Sequence, residues 1–217
     1  HTYHGSQAAN YIIWSGNAKD RKVILKAIQK DDKLASICKN KYGSIVILTL
    51  LDSVDDTRLL NQIVVEKMVQ IFEDVAFVKE SDYIHTKKIL HYILSGRVSL
   101  HKESIRKWLS TGDDFSTSKK DAEIRHKELF ANFADKVITK YFVDDEKSDD
   151  KFEKLHEKLQ FYLSNENKDN KSSIFLSDLT VGLIKIFKLE LSTSSDKKMT
   201  KFRNFVREFM KILMQDI

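Results

Sequence analysis

The sequence contains no proline, only six glycines and a single cysteine among its 217 residues. Turn-rich β folds draw heavily on proline and glycine, so this scarcity argues against a sandwich or barrel and favours helices. A single cysteine excludes an internal disulfide and a cysteine-cluster zinc site, and Cys38, within an apolar segment, is expected to be a buried thiol. No apolar run approaches the roughly 18 residues of a membrane span, and no signal-peptide pattern opens the chain.

Charge is abundant but unevenly distributed along the chain. Charged residues make up 32% of it, and the formal net charge is +5. Residues 1–110 hold 17 Lys or Arg against 12 Asp or Glu, whereas residues 111–217 hold 20 of each. The whole positive excess therefore lies in the first half, which suits a polyanionic partner, although a charge of this size also serves solubility.

The most apolar stretch is Asn40–Leu51, NKYGSIVILTLL. Ser44 is a good N-cap and Gly43 can adopt a positive φ, so we expect a helix to begin there. A helix that is apolar nearly all round must be enclosed by other helices.

Two further stretches share the outline of this one. They are Tyr3–Ile13 upstream and Asp82–Leu94 downstream. The anchor positions are Gly5, Gly43 and Thr86, which are 38 and 43 residues apart. A period of about 40 residues is typical of helical solenoids, including armadillo and HEAT units, in which each unit packs against its neighbours. An irregular helical domain is the alternative. Since the chain begins at His1 inside a repeat, we expect it to be a fragment of a longer protein.

Apolar periodicity predicts the remaining helices. In the first half they lie at 18–30, 32–38, 55–72, 87–94 and 102–109. The first of these presents a predicted apolar face of Val23, Ile24, Ala27 and Ile28. The polar segment 110–118, STGDDFSTS, predicts a boundary.

After that boundary, Ser118 and Asp121 predict a capping box for a helix that reaches about Val143. Its predicted inward face consists of Ile124, Leu129, Phe133 and Val137. An acidic loop at 143–150 and helices at 152–163, 177–191 and 195–214 are expected to follow.

Two motifs resemble a known family. The pattern Tyr42-Gly43-Ser44 before an apolar helix resembles the Puf (Pumilio) repeat. The segment 95–97, followed by 117–121 and 124–129 (SKKD…R.KEL), resembles the junction in the Puf-A/Puf-six branch of that family, where the last repeats run into the C-terminal CPL region.

That resemblance implies an all-α fold, a right-handed superhelical solenoid of Pumilio-like repeats followed by a C-terminal helical region. We assign the repeats, the first of them truncated, to 1–110 and the CPL-like region to 111–217. The resemblance also implies a nuclear, mostly nucleolar protein that binds RNA or DNA without a strict sequence code. Roles in pre-rRNA processing, large-subunit assembly and, in some members, translational control are implied too, with ribosome-assembly proteins as further partners.

In the Puf family, three positions of each middle helix contact or stack on a base. They fall at the first, second and fifth residues after the glycine. In this sequence they correspond to Ser6, Gln7 and Asn10, then Ser44, Ile45 and Leu48, then Lys87, Lys88 and His91. Leu48 has no hydrogen-bonding group, and the two lysines suit phosphates better than base edges. Only the first trio consists of side chains that could hydrogen-bond to base edges. We therefore expect the sequence-specific recognition of bases by successive repeats to be absent.

Backbone recognition remains as the predicted mode of binding. The candidate phosphate contacts are Lys39, Lys41, Lys87, Lys88, Arg97, Lys102, Arg106 and Lys107. Cations along a solenoid would bind phosphates with little sequence preference and strong salt dependence. Trp14 and Trp108 are large enough to stack on bases, but each lies in an apolar helical pattern and is expected to pack internally.

No catalytic or cofactor-binding pattern is present in the sequence. It contains no glycine-rich phosphate loop, nucleophile elbow or HExxH motif, so neither an enzyme nor a cofactor is expected. The competing hypothesis is a helical-repeat scaffold in which Ile45 and Leu48 dock a helix of a protein partner. A third is that this segment only supports the basic face of a longer chain.

Overall fold

The computed structural model describes residues 2–30, 33–76, 80–100 and 103–141, with shorter pieces at 153–154, 157, 181–182, 184–185 and 203–207. Within these residues the chain is helical and contains no strand. The α-helices in chain order are α1 Tyr3–Ser15, α2 Ala18–Gln29, α3 Leu34–Lys39, α4 Lys41–Ser53, α5 Thr57–Leu60, α6 Glu66–Gln70, α7 Phe72–Ala76, α8 Glu80–Ser95, α9 Glu103–Phe115 and α10 Ala122–Tyr141. The all-α class predicted from the sequence is confirmed.

The three predicted middle helices are α1, α4 and α8, and they pack in that order with α4 in the centre. Every residue of α4 from Ile47 to Ser53 is buried. This is the repeat-on-repeat packing expected of a solenoid, in which a central unit buries faces against both neighbours. The expected enclosure of the apolar stretch is therefore present.

The beginning of α4 differs from the prediction. The helix starts at Lys41, and its N-cap is Asn40, whose side-chain oxygen accepts from the backbone N–H groups of Tyr42 and Gly43 at 2.9 and 3.0 Å. Gly43 lies inside the helix, so it does not supply a positive φ. It is needed for close approach, because a Cβ there would lie 2.5 Å from the carbonyl oxygen of Ile37 in α3.

The predicted 55–72 helix is present with a change of winding. It runs from Thr57 to Gln70 through a π-helical turn, Asn61–Val65, and Ile71 leaves helical geometry at φ −100° and ψ 8°. The apolar side chains Leu60, Val64 and Met68 of this segment are buried.

The buried face of α2 also differs from the predicted one. Val23 is 61% exposed, while Leu25 and Ile28 are buried together with Arg21, which is 3% exposed. The Arg21 guanidinium donates to the carbonyl oxygens of Ile13 and Trp14 at the end of α1, at 2.7 and 3.0 Å. Because these donors satisfy helix-end carbonyls that have no partner within α1, they fix which face of α2 points inward.

Helix α9 extends further than the periodicity predicted, because the segment 110–115 is helical to Phe115. It packs on both α1 and α4, so it reaches past the central repeat to the first one. Gly112 of α9 lies against the indole of Trp14, and Trp14 and Trp108 are 5.4 Å apart between ring centroids. The internal packing expected of Trp14 is confirmed, since the residue is fully buried. The division between 110 and 111 remains a prediction.

The connection from α9 to α10 and the first turn of α10 are hydrogen-bonded to the end of α4. Ser118 donates its hydroxyl to the carbonyl of Ser53, and the buried Arg125 donates to the carbonyl of Asp52 at 2.9 Å and to the Asp55 carboxylate at 3.2 Å. These hydrogen bonds join residues that are more than sixty positions apart in sequence.

The predicted capping box of α10 is replaced by a single cap. The side chain of Asp121 accepts from the backbone N–H groups of Glu123 and Ile124, and Ser118 instead contacts the preceding repeat. Leu129, Phe133 and Val137 are buried as predicted, but Ile124 is 49% exposed. Position 124 belongs to the solvent side because Arg125, its neighbour, occupies the buried face.

The core is continuous across all the repeats. Cys38 is fully buried, as predicted, and burial raises the pKa of its thiol to about 12. No described helix combines the length and apolarity needed to cross a bilayer. The predicted acidic loop and the bounds of the last three helices lie outside the described residues, although the pieces that are described there are helical and Phe205 joins the core.

His126 provides a test of this packing through the pH dependence of stability. Its ring lies beside Gly96, the one described glycine with positive φ (72°), and its Nε2 is 3.1 Å from the carbonyl oxygen of Ile93. Burial lowers the pKa of His126 from 6.5, the carbonyl opposes that change, and Lys185 lowers the pKa further. Below about pH 6.5 the unfolded chain thus binds a proton that the folded chain does not, so stability falls with the pH.

We therefore expect the free energy of unfolding to decrease between pH 7.5 and 5.5, and His126→Gln to reduce that decrease. Urea titrations at three pH values measure it. The matched control is His4→Gln, at an exposed position on α1. An unchanged pH dependence in His126→Gln would contradict the prediction.

Candidate nucleic-acid interface

Of the three predicted base-contacting positions in the first repeat, two are buried and one is half-buried. Ser6 is 9% exposed and donates its hydroxyl to the carbonyl of Tyr3 at 2.7 Å. Asn10 is fully buried, and neither its amide nitrogen nor its amide oxygen has a hydrogen-bond partner. Gln7 is half-buried, and its Nε2 donates to the Tyr3 hydroxyl at 2.7 Å.

The second and third trios are enclosed in the same way. Ser44 is 1% exposed and donates to the carbonyl of Lys41, while Leu48 is fully buried. Lys87 and His91 are 3% and 8% exposed, and both have interactions within the protein. Lys88 is half-buried, with its Nζ 3.2 Å from Nδ1 of His85.

This burial argues against the predicted contacts at five positions. Ser6, Asn10, Ser44, Lys87 and His91 are at most 9% exposed, which leaves little surface for a nucleic acid. The physical reason is that α1, α4 and α8 pack against one another and against neighbouring helices, which periodicity within one helix does not reveal. The proposed docking of a partner helix by Ile45 and Leu48 meets the same obstacle, since Leu48 has no exposed surface.

Arg97 is occupied by carboxylates. Its Nε and Nη2 donate to the two oxygens of Asp52 at 2.7 and 2.6 Å, and its Nη1 and Nη2 donate to Asp113 at 2.7 and 2.6 Å. The hydrogen bonds from Asp113 and Asp52 raise the pKa of the guanidinium above its ordinary value. A guanidinium held by two carboxylates has little positive charge left for a phosphate, so Arg97 acts in the fold rather than at an interface.

Four of the predicted phosphate contacts are exposed. They are Lys39 and Lys41 near the start of α4, and Arg106 and Lys107 on α9. The ammonium of Lys39 is 4.7 Å from the centroid of Tyr83, and that of Lys41 is 5.4 Å from Tyr42. Lys102 lies outside the described residues. Of the described candidates from 87 to 107, Arg106 and Lys107 are the exposed ones.

Sequence reasoning missed a row of exposed lysines on α2. Lys19, Lys22 and Lys26 of α2 and its C-cap residue Lys30 are all exposed. The sequence contains a signal for this row, because lysines recur there at intervals of three and four residues. The family's base-reading positions lie on the middle helices, so that pattern does not indicate the row.

The described residues offer no metal site. No three His, Cys, Asp or Glu side chains within them are close enough together to hold a metal ion.

A protein family and several individual proteins are similar to this chain in sequence. The CPL (NUC119) domain family matches residues 83–149. Pumilio homolog 3 of Danio rerio is 37% identical over 130 residues, which are 59% of this chain and 20% of the relative. The Homo sapiens protein of the same name is 31% identical over 140 residues, 64% of this chain and 20% of the relative. Pumilio homology domain family member 6 of Schizosaccharomyces pombe is 34% identical over 143 residues, 64% of this chain and 21% of the relative.

Two solved structures share the fold. The crystal structure of human Puf-A in complex with DNA matches 100% of this chain and 52% of that chain, with a TM-score of 0.56 and 21% identity. The crystal structure of human Puf-A matches 99% of this chain and 46% of that chain, with a TM-score of 0.57 and 23% identity. The all-α solenoid of Pumilio-like repeats is thereby confirmed.

The fold and its exposed cations define an α-helical repeat protein with a basic outer surface. The match to the CPL family at 83–149 and the similarity to the Pumilio-type relatives narrow this class. In sequence and fold the chain is similar to the Puf-A/Puf-six branch of the Pumilio repeat family. It spans about a fifth of the length of the curated relatives it matches.

Proposed function

We propose that this chain binds RNA or DNA through the sugar–phosphate backbone with little sequence preference. The observation that carries the proposal is the contrast between the two kinds of predicted contact. Six of the nine base-reading positions are buried and the other three are half-buried, whereas the cations Lys39, Lys41, Arg106 and Lys107 are exposed. Phosphate contacts position a nucleic acid but carry no sequence information, so such a surface binds unrelated sequences alike. Support also comes from human Puf-A, whose structure contains DNA.

We further propose that the whole protein acts in the nucleus and nucleolus, in pre-rRNA processing and assembly of the large ribosomal subunit. This second proposal rests on the similarity to that family. Cells in which the protein lacks this segment should accumulate precursors of the large-subunit rRNA. Unchanged precursor levels, with the truncated protein present in normal amount, would count against the role.

Binding should depend steeply on salt. If about four cations contact a single strand, the logarithm of affinity falls with a slope of about −3 against the logarithm of salt concentration, or roughly fiftyfold between 50 and 200 mM. Fluorescence anisotropy with unrelated single-stranded and duplex RNA and DNA measures both slope and preference.

Similar affinities for unrelated sequences would support backbone recognition. A preference of a hundredfold or more for one sequence would refute it and restore base reading. If no nucleic acid binds even at 50 mM salt, this chain has no such role and a protein partner becomes the better hypothesis.

A further inference from the structure

Helix α2 presents a lysine row to solvent that neither the repeat pattern nor the fold requires. Lys19, Lys22, Lys26 and Lys30, here called the α2 lysine row, are all exposed. At 100° per residue they fall within a sector about 80° wide, on the side of the helix away from the core. From the first to the last of them the helix advances about 16 Å.

The direction of the row is fixed by the opposite face. Arg21, Leu25 and Ile28 are 3%, 0% and 8% exposed. The Arg21 guanidinium spans to the end of α1 and also donates to the hydroxyl of Thr117 at 3.0 Å. With that face anchored by both apolar contact and hydrogen bonds, the helix cannot turn its lysines inward, and they stay available to a ligand.

Folding alone does not favour this arrangement. Lys19 and Lys22, Lys22 and Lys26, and Lys26 and Lys30 are like-charge neighbours at i,i+3 or i,i+4, each destabilising by about 0.2–0.5 kcal/mol. The only acidic residue of α2 is Asp20, whose carboxylate accepts from the backbone N–H of Asn17 in the N-terminal capping box. The mutual repulsion of the row is thus not relieved within the helix, and a bound polyanion would relieve it.

We infer that the α2 lysine row is a phosphate-binding surface for the backbone of a nucleic acid. The inference rests on the proposed function and adds α2 to the surfaces that would contact phosphates. Phosphates of one strand are about 3.4 Å apart along the axis of a duplex, so a row about 16 Å long faces four or five of them. The spacing of the lysines, 4.5–6 Å of helix rise, allows each one its own phosphate.

A nucleic acid suits this surface better than an acidic protein does. Lysine is depleted in the cores of protein interfaces, which instead need aromatic or apolar anchors. Beside the row lie one exposed apolar side chain, Val23, and the exposed Gln29. An evenly charged polymer matches evenly spaced cations without needing an apolar anchor.

The test compares two double variants of the 217-residue chain with the same loss of charge. One is Lys22→Gln with Lys26→Gln, in the middle of the row. The control is Lys119→Gln with Lys127→Gln, at exposed positions on the α9–α10 connection and on α10. A third variant, Lys22→Arg with Lys26→Arg, retains the charge. Affinity for single-stranded RNA is measured by anisotropy at several salt concentrations, and folding by circular dichroism and thermal unfolding.

We expect the row variant to bind roughly ten- to thirtyfold more weakly at 0.1 M salt, with a salt slope smaller by about 1.4, as for the loss of two phosphate contacts. Its thermal stability should be unchanged or higher, because like-charge pairs are removed. The arginine variant should bind as the parent does, and the control should lose less than about threefold.

Equal losses in the row variant and the control would overturn the inference while leaving the proposed function intact. Absence of binding by the parent chain would overturn both. Loss of binding with loss of thermal stability in the glutamine variant, rescued in neither respect by arginine, would assign the row a structural role. Weakened binding of an acidic peptide, with RNA binding unaffected, would replace the nucleic acid by a protein ligand and so refute the inference.

Discussion

Replacement of Asp52 by asparagine is expected to lower the free energy of unfolding by about 3 kcal/mol. Asp52 ends α4, and its side chain is 3% exposed. One of its oxygens accepts from the Tyr92 hydroxyl at 2.9 Å and from Arg97 Nε at 2.7 Å, and the other accepts from Arg97 Nη2 at 2.6 Å. Asparagine keeps the shape but turns one acceptor into a donor, which then faces the donor of Arg97. Urea unfolding at pH 7 measures the change.

Asp113→Asn is the matched control, since it disturbs the other carboxylate on the same guanidinium. Asp113 is 55% exposed, and a pair open to solvent contributes less than about 1 kcal/mol. Combining Asp52→Asn with Arg97→Met should cost less than the sum of the two single changes, because each already breaks the same pair. Additive effects, or equal effects of the two aspartate changes, would show that the buried pair is not what stabilises this junction.

Gly112→Ala is expected to destabilise the protein by about 2 kcal/mol. The same substitution in an isolated helix would instead be stabilising. In an exposed helix interior, alanine in place of glycine gains about 1 kcal/mol. At Gly112, however, a Cβ would lie 2.3 Å from Nε1 of Trp14 and 2.6 Å from its Cε2. Trp14 is fully buried and packed against Trp108 and Tyr11, so the indole has no room to withdraw.

The control for this substitution is Ser110→Ala, two residues away on the exposed side of α9. It should be neutral or slightly stabilising, since alanine has the higher helix propensity. Tryptophan emission should shift in Gly112→Ala and not in the control, because only the former displaces the Trp14 indole. A gain of stability at both positions would mean that α9 does not pack on α1 as described.

Asp52→Asn and Gly112→Ala both test how the C-terminal part of the chain packs on the repeats. Arg97 and Arg125 lie within the CPL match at 83–149 and donate hydrogen bonds to Asp52 near the end of α4, which lies before that match in sequence. In a simple solenoid each unit packs only on its neighbours. Here α9 also packs on the first repeat, so we expect the described helices to unfold together rather than repeat by repeat.

The sequence by itself determined the helical class, the repeated middle helices and the resemblance to the Pumilio repeat family. Those features are local, because apolar spacing, the absence of proline and short motifs such as SKKD are readable within a few turns of one helix. It also indicated that Leu129, Phe133 and Val137 face inward, as a regular apolar stripe does.

Only the tertiary structure decided which charged side chains remain free. Lys87 and Arg97 are as basic in sequence as Lys22 and Lys26, yet one is buried and another is held by Asp52 and Asp113, while the two on α2 stay exposed. The partner of Arg97 on α4, Asp52, lies 45 residues away along the chain. Arg21, on the buried side of α2, likewise donates to Thr117, which is 96 residues away. The electrostatic surface of a solenoid depends on which faces its neighbours cover, and that is a property of packing rather than of any one segment.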